Sequence, residues 1–371
     1  MNRRDFLIRA GLVGGGIVIA PSLLAACASG GSSGGPNSVS ISNWTSYFSA
    51  EAKKAFERAS GLKLTYTEDI NDNNEYFAKI QPNLSKGKSI GRDGIVLTDW
   101  MANRLINQLQ WVQPLDAEKM TNKKNLRAAL ASPGFDPTRT YSMPWQSGFA
   151  GFAYNTDLTG GKDVKTWKDF LAVKGNKTLL SEMRDTMGII MMAMGISITK
   201  PEFVAAQPAF NDLERAVKSG QVNGFNGNEY VNDLAAGNLA ACIAWSGDVA
   251  QIARDNPKVK FAIPESGGTL WSDNFMIPIM AAHVANASEF INFFYDPANA
   301  ALLTAEVQYV SPVNGVAEEL TKMGGDAAKL VDDPLVVPTD EFLKTVSIFG
   351  PIPADQQDLW DKRFSEILGT G

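Results

Sequence analysis

Acidic and aromatic side chains recur together at similar places along this chain of 371 residues. Asn43-Trp44-Thr45-Ser46-Tyr47 follows a stretch in which Val39 and Ile41 alternate with serines. Thr98-Asp99-Trp100 follows the apolar run Gly94-Ile95-Val96-Leu97, and Ser181-Glu182-Met183-Arg184-Asp185 follows Thr178-Leu179-Leu180. Trp245-Ser246-Gly247-Asp248 closes the apolar run 239–245, and Gly267-Gly268-Thr269-Leu270-Trp271-Ser272-Asp273 lies where the chain returns from one region to another. In open α/β sheets, ligands bind outside the carboxyl ends of the strands. Aromatic faces attract desolvated ammonium groups by about 0.5–2 kcal/mol each. A carboxylate is the charge partner, and truncating one side of a buried charged pair costs about 2–5 kcal/mol. Aromatic walls with acids at either end describe a slot for an elongated organic cation.

Taken singly, each residue has a simpler reading. A lone Trp fills a core more often than it walls a ligand. Asp185 and Asp248 both sit where a helix begins, where capping suits them as well as binding does. Met187, Met191, Met192 and Met194 read as core filling, and His283, in a polar Ala/His/Asn stretch, as a surface residue. The joint recurrence at strand ends carries the binding reading.

These side chains need elements to hold them. The pattern predicts strands at 38–43, 62–67 and 94–97, with helices at 50–60, 74–84 and 100–109. Gly61 stands where a C-terminal cap belongs. A second region begins near residue 148, with strands at 148–154, 178–180, 239–245 and 259–263 and helices at 185–194 and 248–255. A strand at 275–279 returns to the first region, and helices at 287–295, 298–307 and 356–368 follow. Such alternation predicts α/β layers around a mostly parallel sheet, in two or three folding units for this length.

Composition narrows the chemistry. With 34 Lys plus Arg against 40 Asp plus Glu, the net charge is −6, which argues against nucleic acid, where a basic footprint supplies affinity. One histidine and two cysteines exclude a histidine-based zinc cluster and leave room for one His-dependent triad at most. The first 26 residues read as a targeting segment. Arg3-Arg4-Asp5-Phe6-Leu7 has the twin-arginine pattern, an apolar stretch follows at 11–20, and Leu24-Ala25-Ala26-Cys27 resembles a lipobox. Gly residues and Pro21 interrupt the apolar stretch, which falls short of the roughly 20 residues of a spanning helix. Cys27 is therefore expected to carry lipid, with Cys242 a buried thiol. Removing residues 1–26 deletes Arg3, Arg4, Arg9 and Asp5 and takes the net charge from −6 to −8. Residues 28–36 make a Gly/Ser tether with a reach of about 15–18 Å, holding the body outside the cytoplasm beside a membrane.

In this order and spacing, the motifs resemble the polyamine-binding proteins of bacterial ABC importers, the spermidine and putrescine receptors. The resemblance runs over about residues 38–368 and rests on Asn43-Trp44-Thr45-Ser46-Tyr47, Tyr141-Ser142-Met143-Pro144-Trp145, Trp245, Gly267-Gly268 with Trp271 and Asp273, and Tyr309-Val310-Ser311-Pro312. It implies a two-lobed α/β clamshell of the type II periplasmic-binding-protein kind, with hinge strands crossing between lobes. Lobe 1 would be 38–146 plus 272–317, and lobe 2 would be 147–271 plus 318–371.

By the same resemblance, Trp44, Tyr47, Trp245 and Trp271 would wall the slot. Asp273 would bind an amine, and Thr45 and Tyr309 would add polar contacts. Glu182 and Asp185 match two acidic positions with the acids exchanged, and Asp248 matches an acid of the putrescine receptors. Thr98 and Trp100 stand where the family often has Ser and Tyr, and its late glutamine finds no clear register near Gln356 and Gln357. The implied protein is a monomeric, lipid-anchored receptor that hands spermidine or putrescine to a permease, with no cofactor, no metal and no catalysis. Thiamine or another organic cation, and a carbohydrate-active enzyme using paired carboxylates, are the alternatives.

Overall fold

Val39 and Ile41 sit in a strand whose seven residues, Ser38–Trp44, are all buried. The alternation with serine predicts one wet face, but the strand lies inside the sheet and both faces are covered. Ser40 and Ser42 find partners there: Asp93 accepts from the Ser40 N–H at 2.9 Å, and Ser42 accepts from Arg92 at 2.7 Å. The structure, a computed structural model, describes residues 35–369. The expected export segment, Cys27 and most of the tether lie outside the described residues.

In chain order the strands are β1 (Ser38–Trp44), β2 (Lys63–Ile70), β3 (Gly94–Thr98), β4 (Val112–Gln113), β5 (Ser142–Asn155), β6 (Lys177–Leu180), β7 (Gly224–Asn226), β8 (Ala241–Trp245), β9 (Val259–Ala262), β10 (Gly268–Pro278) and β11 (Val346–Ser347). Their spatial order is β2-β1-β3-β10-β5-β8-β6-β7, with β4 and β11 paired to β10 and β9 to β5. The outer groups β2-β1-β3 and β8-β6-β7 are parallel within themselves. Between them, β5 and β10 run antiparallel to each other and to their outer neighbours. One end of β10, Asp273–Met276, pairs with β3, whereas the 150–154 end of β5 pairs with β8. The two groups are joined in the sheet through these long strands alone.

Both long strands exceed their predicted lengths. Residues 267–273 read as the return from one region to another, yet β10 starts at Gly268 and pairs through Trp271 and Ser272 with β5. Partners on both edges, β5 and β11, hold this segment as strand. The register of β10 on β5 shifts between Ser272 and Asn274, opposite Pro144, which has no N–H to give a ladder. Asp273 sits at that irregularity. Helices cover the sheet as predicted at Ala50–Ser60, where Ser49 Oγ accepts from the Ala52 N–H and Gly61 closes the end at φ 71°.

Three further expectations need correction. The helix expected at 100–109 is α-helical only over Asp99–Asn103 and continues as a π-helical turn over Arg104–Gln108. His283 is not a free surface residue: its backbone N–H and ring both bond Asp93, at 3.0 and 3.2 Å. Of the methionine run, Met187 and Met191 are fully buried core residues, but Met194 is exposed. Cys242 is free and buried, as expected.

Candidate ligand-binding site

The two outer parallel groups run in opposite directions, so their carboxyl ends both face the middle of β5 and β10, and their last residues begin the site. Trp44 closes β1, and its indole N–H donates to the Val96 carbonyl of β3 at 3.1 Å, which fixes the ring. Thr98 closes β3, Leu180 precedes Ser181 and Glu182, and Trp245 closes β8. Neither Asp185 nor Asp248 caps its helix. Each is the third residue of one, Met183–Ala193 and Ser246–Asp255, and neither start has a side-chain cap. Both carboxylates turn instead into a cavity.

All twelve residues singled out for binding line that one cavity: Trp44, Thr45, Tyr47, Thr98, Trp100, Glu182, Asp185, Trp245, Asp248, Trp271, Asp273 and Tyr309. The acids are held by neutral donors. Asp273 accepts from the Thr98 hydroxyl at 2.8 Å. Asp248 accepts from the hydroxyls of Tyr230 and Tyr309 at 2.6 and 2.7 Å and from Asn228 at 3.1 Å. Asp185 accepts from the Trp245 indole at 2.9 Å and from the Thr269 hydroxyl. Glu182 accepts twice from Asn73, once from its backbone and once from its amide.

Among the described residues, none of these four carboxylates forms an ion pair. Burial dominates their electrostatics. It pushes Asp273 up to about 7 and Asp248 up to about 6, and raises Glu182 and Asp185 as well. Hydrogen bonds pull Asp248, Asp273 and Asp185 the other way without cancelling desolvation.

Aromatic rings frame the acids. Trp44 meets Trp245 edge-on at 5.7 Å between centroids, and Trp245 meets Trp271 at 6.4 Å. Tyr309 lies 5.6 Å from Trp271 and 4.8 Å from Tyr47. Glycine lets these rings lie against the backbone: a Cβ on Gly148 would stand 2.6 Å from Trp271, and one on Gly247 would stand 2.4 Å from Tyr309. Ser272 Oγ, Asn228 Oδ1 and the Trp271 indole nitrogen are buried in this wall without a hydrogen-bond partner among the described residues.

Several lining residues escape the sequence reading. Arg184 stands between the two acids of its motif, and its guanidinium lies over Trp100 at 4.0 Å, so one face of that ring is already taken. Asp99, between Thr98 and Trp100 in a strand-end motif, also lines the cavity. Asn228 and Thr269 carry no local signal, because distant elements bring them in. The late contact is apolar: Ile348 and Phe349 line the cavity, while Gln357 bonds Arg184 and Gln356 bonds the Phe203 N–H.

Residues 51–336 match the family of bacterial extracellular solute-binding proteins. The chain belongs to that family. This solute-binding protein is 24% identical over 310 residues to the spermidine/putrescine-binding periplasmic protein of Escherichia coli, across 83% of this chain and 85% of the relative. It is 27% identical over 350 residues to a putrescine-binding periplasmic protein of Pseudomonas aeruginosa, across 88% and 90%. A solved chain from Listeria monocytogenes, provisionally named a spermidine/putrescine ABC transporter, superposes with a TM-score of 0.77 at 26% identity, over 89% of this chain and 98% of that one. PotD of Streptococcus pneumoniae shares the fold at a TM-score of 0.70 and 21% identity, over 90% and 99%. The fold is the type II periplasmic-binding-protein clamshell that the motifs implied. Among the described residues, no helix is long and apolar enough to cross a membrane.

Proposed function

We propose that this solute-binding protein is the polyamine receptor of an ABC importer, taking spermidine or putrescine into the cavity and delivering it to a permease. The observation that carries the reading is the set of four buried carboxylates, Glu182, Asp185, Asp248 and Asp273, none of them ion-paired among the described residues, outnumbering the lining guanidinium of Arg184 and framed by Trp44, Trp245 and Trp271. Buried charge demands a partner, and an alkyl chain with an ammonium at each end matches acids set among aromatic faces. A micromolar dissociation constant requires about −8 kcal/mol. Two paired ammoniums and two or three ring contacts of about 0.5–2 kcal/mol reach it after desolvation and ordering. The names of the E. coli and P. aeruginosa relatives support the same ligand class.

The receptor closes on its ligand. Its lobes are 38–146 plus 272–317 and 147–271 plus 318–371, a division supported by the way β5 and β10 alone join the two parallel groups. Ligand shifts the hinge toward the closed state because only that state lets both lobes touch it. The protein works as a monomer outside the cytoplasm, exported by the twin-arginine route and anchored by lipid on Cys27. It needs no cofactor and leaves its ligand chemically unchanged.

Calorimetric titration of a soluble form beginning after Cys27, freed of co-purified ligand, tests this. Putrescine, spermidine, spermine, agmatine and thiamine are the probes. One-to-one binding of a polyamine, weakened at least tenfold by Asp273→Ala and with the amine recovered intact, is the expected result. Silence for every polyamine sinks the assignment.

A further inference from the structure

Asp99 lines the same cavity wall as Asp273, one residue beyond Thr98, which pairs with Asp273 across β3 and β10. Its carboxylate is oriented from behind. Arg139, 2% exposed, donates to Asn274 Oδ1 at 2.7 Å. A guanidinium can only donate, so the Asn274 carbonyl oxygen faces it and the amide nitrogen is turned toward Asp99 Oδ1, at 2.6 Å. Among the described residues no hydrogen bond reaches the other oxygen, Oδ2. Nearby, Ser272 Oγ and Asn228 Oδ1 are further acceptors, more than nine-tenths buried, in the cavity wall and without partners among the described residues.

With Asp99 included, five carboxylates and a single guanidinium, Arg184, line the cavity. A diamine brings two positive charges and leaves buried acids uncompensated, which is costly. A third cationic nitrogen removes part of that cost.

Building on the polyamine reading, we propose that Asp99 is a fifth ligand-binding carboxylate and gives the cavity a place for a third cationic nitrogen, favouring a triamine over a diamine. Burial raises its carboxyl to about 6, with Asn274 and Arg139 drawing it down, so it is charged at pH 7.5. Asp99 thereby sets specificity rather than the bare ability to bind amines.

Calorimetry of the wild-type and Asp99→Asn proteins with putrescine and spermidine at pH 7.5 tests it. The wild type is expected to bind spermidine at least tenfold tighter than putrescine. Asp99→Asn should lower spermidine affinity tenfold or more and putrescine affinity less than threefold, with circular dichroism unchanged. A wild type that binds the diamine as tightly as the triamine overturns the inference without any variant. Equal losses for both amines, or an unchanged ratio, overturn it while leaving the polyamine reading intact. Silence of both amines overturns the two together.

Discussion

Asn73 gives both its backbone N–H and its side-chain amide to one oxygen of Glu182, each at 2.7 Å. The two residues belong to opposite parallel groups, Asn73 after β2 and Glu182 after β6. The same amide also donates to Thr98 Oγ1 at 2.9 Å, and Thr98 passes the contact on to Asp273. Asn71 and Asp72 add bonds across the same gap, to Glu229 and the Asn228 N–H and to Ser181. The turn after β2 is thus a clasp between the two parallel groups, anchored on Glu182, one of the carboxylates that line the cavity.

Asn73→Ala should therefore weaken polyamine binding by about 10- to 100-fold, since hydrogen bonds to charged groups contribute about 1.5–3 kcal/mol. The loss should fall on the dissociation rate, and the ranking of amines should not change, because Asn73 is absent from the cavity lining. Stopped-flow tryptophan fluorescence measures both. A change in ranking with an unaltered off-rate would contradict the clasp.

Gly247→Ala sets helix propensity against fit. Alanine is better than glycine by about 1 kcal/mol in a helix interior and by less in the first turn, where Gly247 is the second residue of the helix Ser246–Asp255. Its added Cβ would meet the Tyr309 ring at 2.4 Å. That ring cannot simply retreat: its hydroxyl is bound to Asp248 and it packs on Tyr47. The expected outcome is a fall in both affinity, by tenfold or more, and melting temperature. A variant that melts higher with full affinity would show that Tyr309 has room to move.

Much of this was legible because strand ends are local. Trp44 and Trp245 close strands and Asp248 follows within three residues, so the sequence carries both their chemistry and their place at a strand's carboxyl end. What escaped depends on elements meeting through space. Asn73 touches Glu182 across 109 residues, and neither flanking pattern marks the pair. Capping and binding suit Asp185 equally in the sequence, and it is Trp245 and Thr269, 60 and 84 residues away, that hold its carboxylate. Likewise, Gly268 lies in a strand because β5 and β11 flank that end of β10, and neither is marked nearby in the sequence.

Trp271 separates ring chemistry from bulk. Its indole N–H makes no hydrogen bond, so Trp271→Phe removes no polar contact and keeps an aromatic face. Trp271→Leu removes the face. A ring–ammonium contact of about 0.5–2 kcal/mol predicts a loss of roughly 3- to 30-fold for Leu and less than threefold for Phe. Equal losses in calorimetry would assign Trp271 to packing alone.

The buried acids also set opposite pH trends for stability and affinity. Free of ligand, Asp273 keeps its proton up to about 7, against about 4 in an unfolded chain. Between those values the folded state binds more protons, so the stabilising contribution is full at low pH and lost as pH rises through 7. Asp248 and Asp99, both raised to about 6, act with the same sign. The melting temperature of the ligand-free protein should accordingly fall from pH 5 to pH 8. Polyamine affinity should rise over the same window, because an ammonium pairs with the carboxylate only after its proton has left. Titrations in two buffers of different ionisation enthalpy should detect that proton release below pH 7. Affinity that is flat from pH 5 to pH 8 would mean that the amines do not meet these carboxylates.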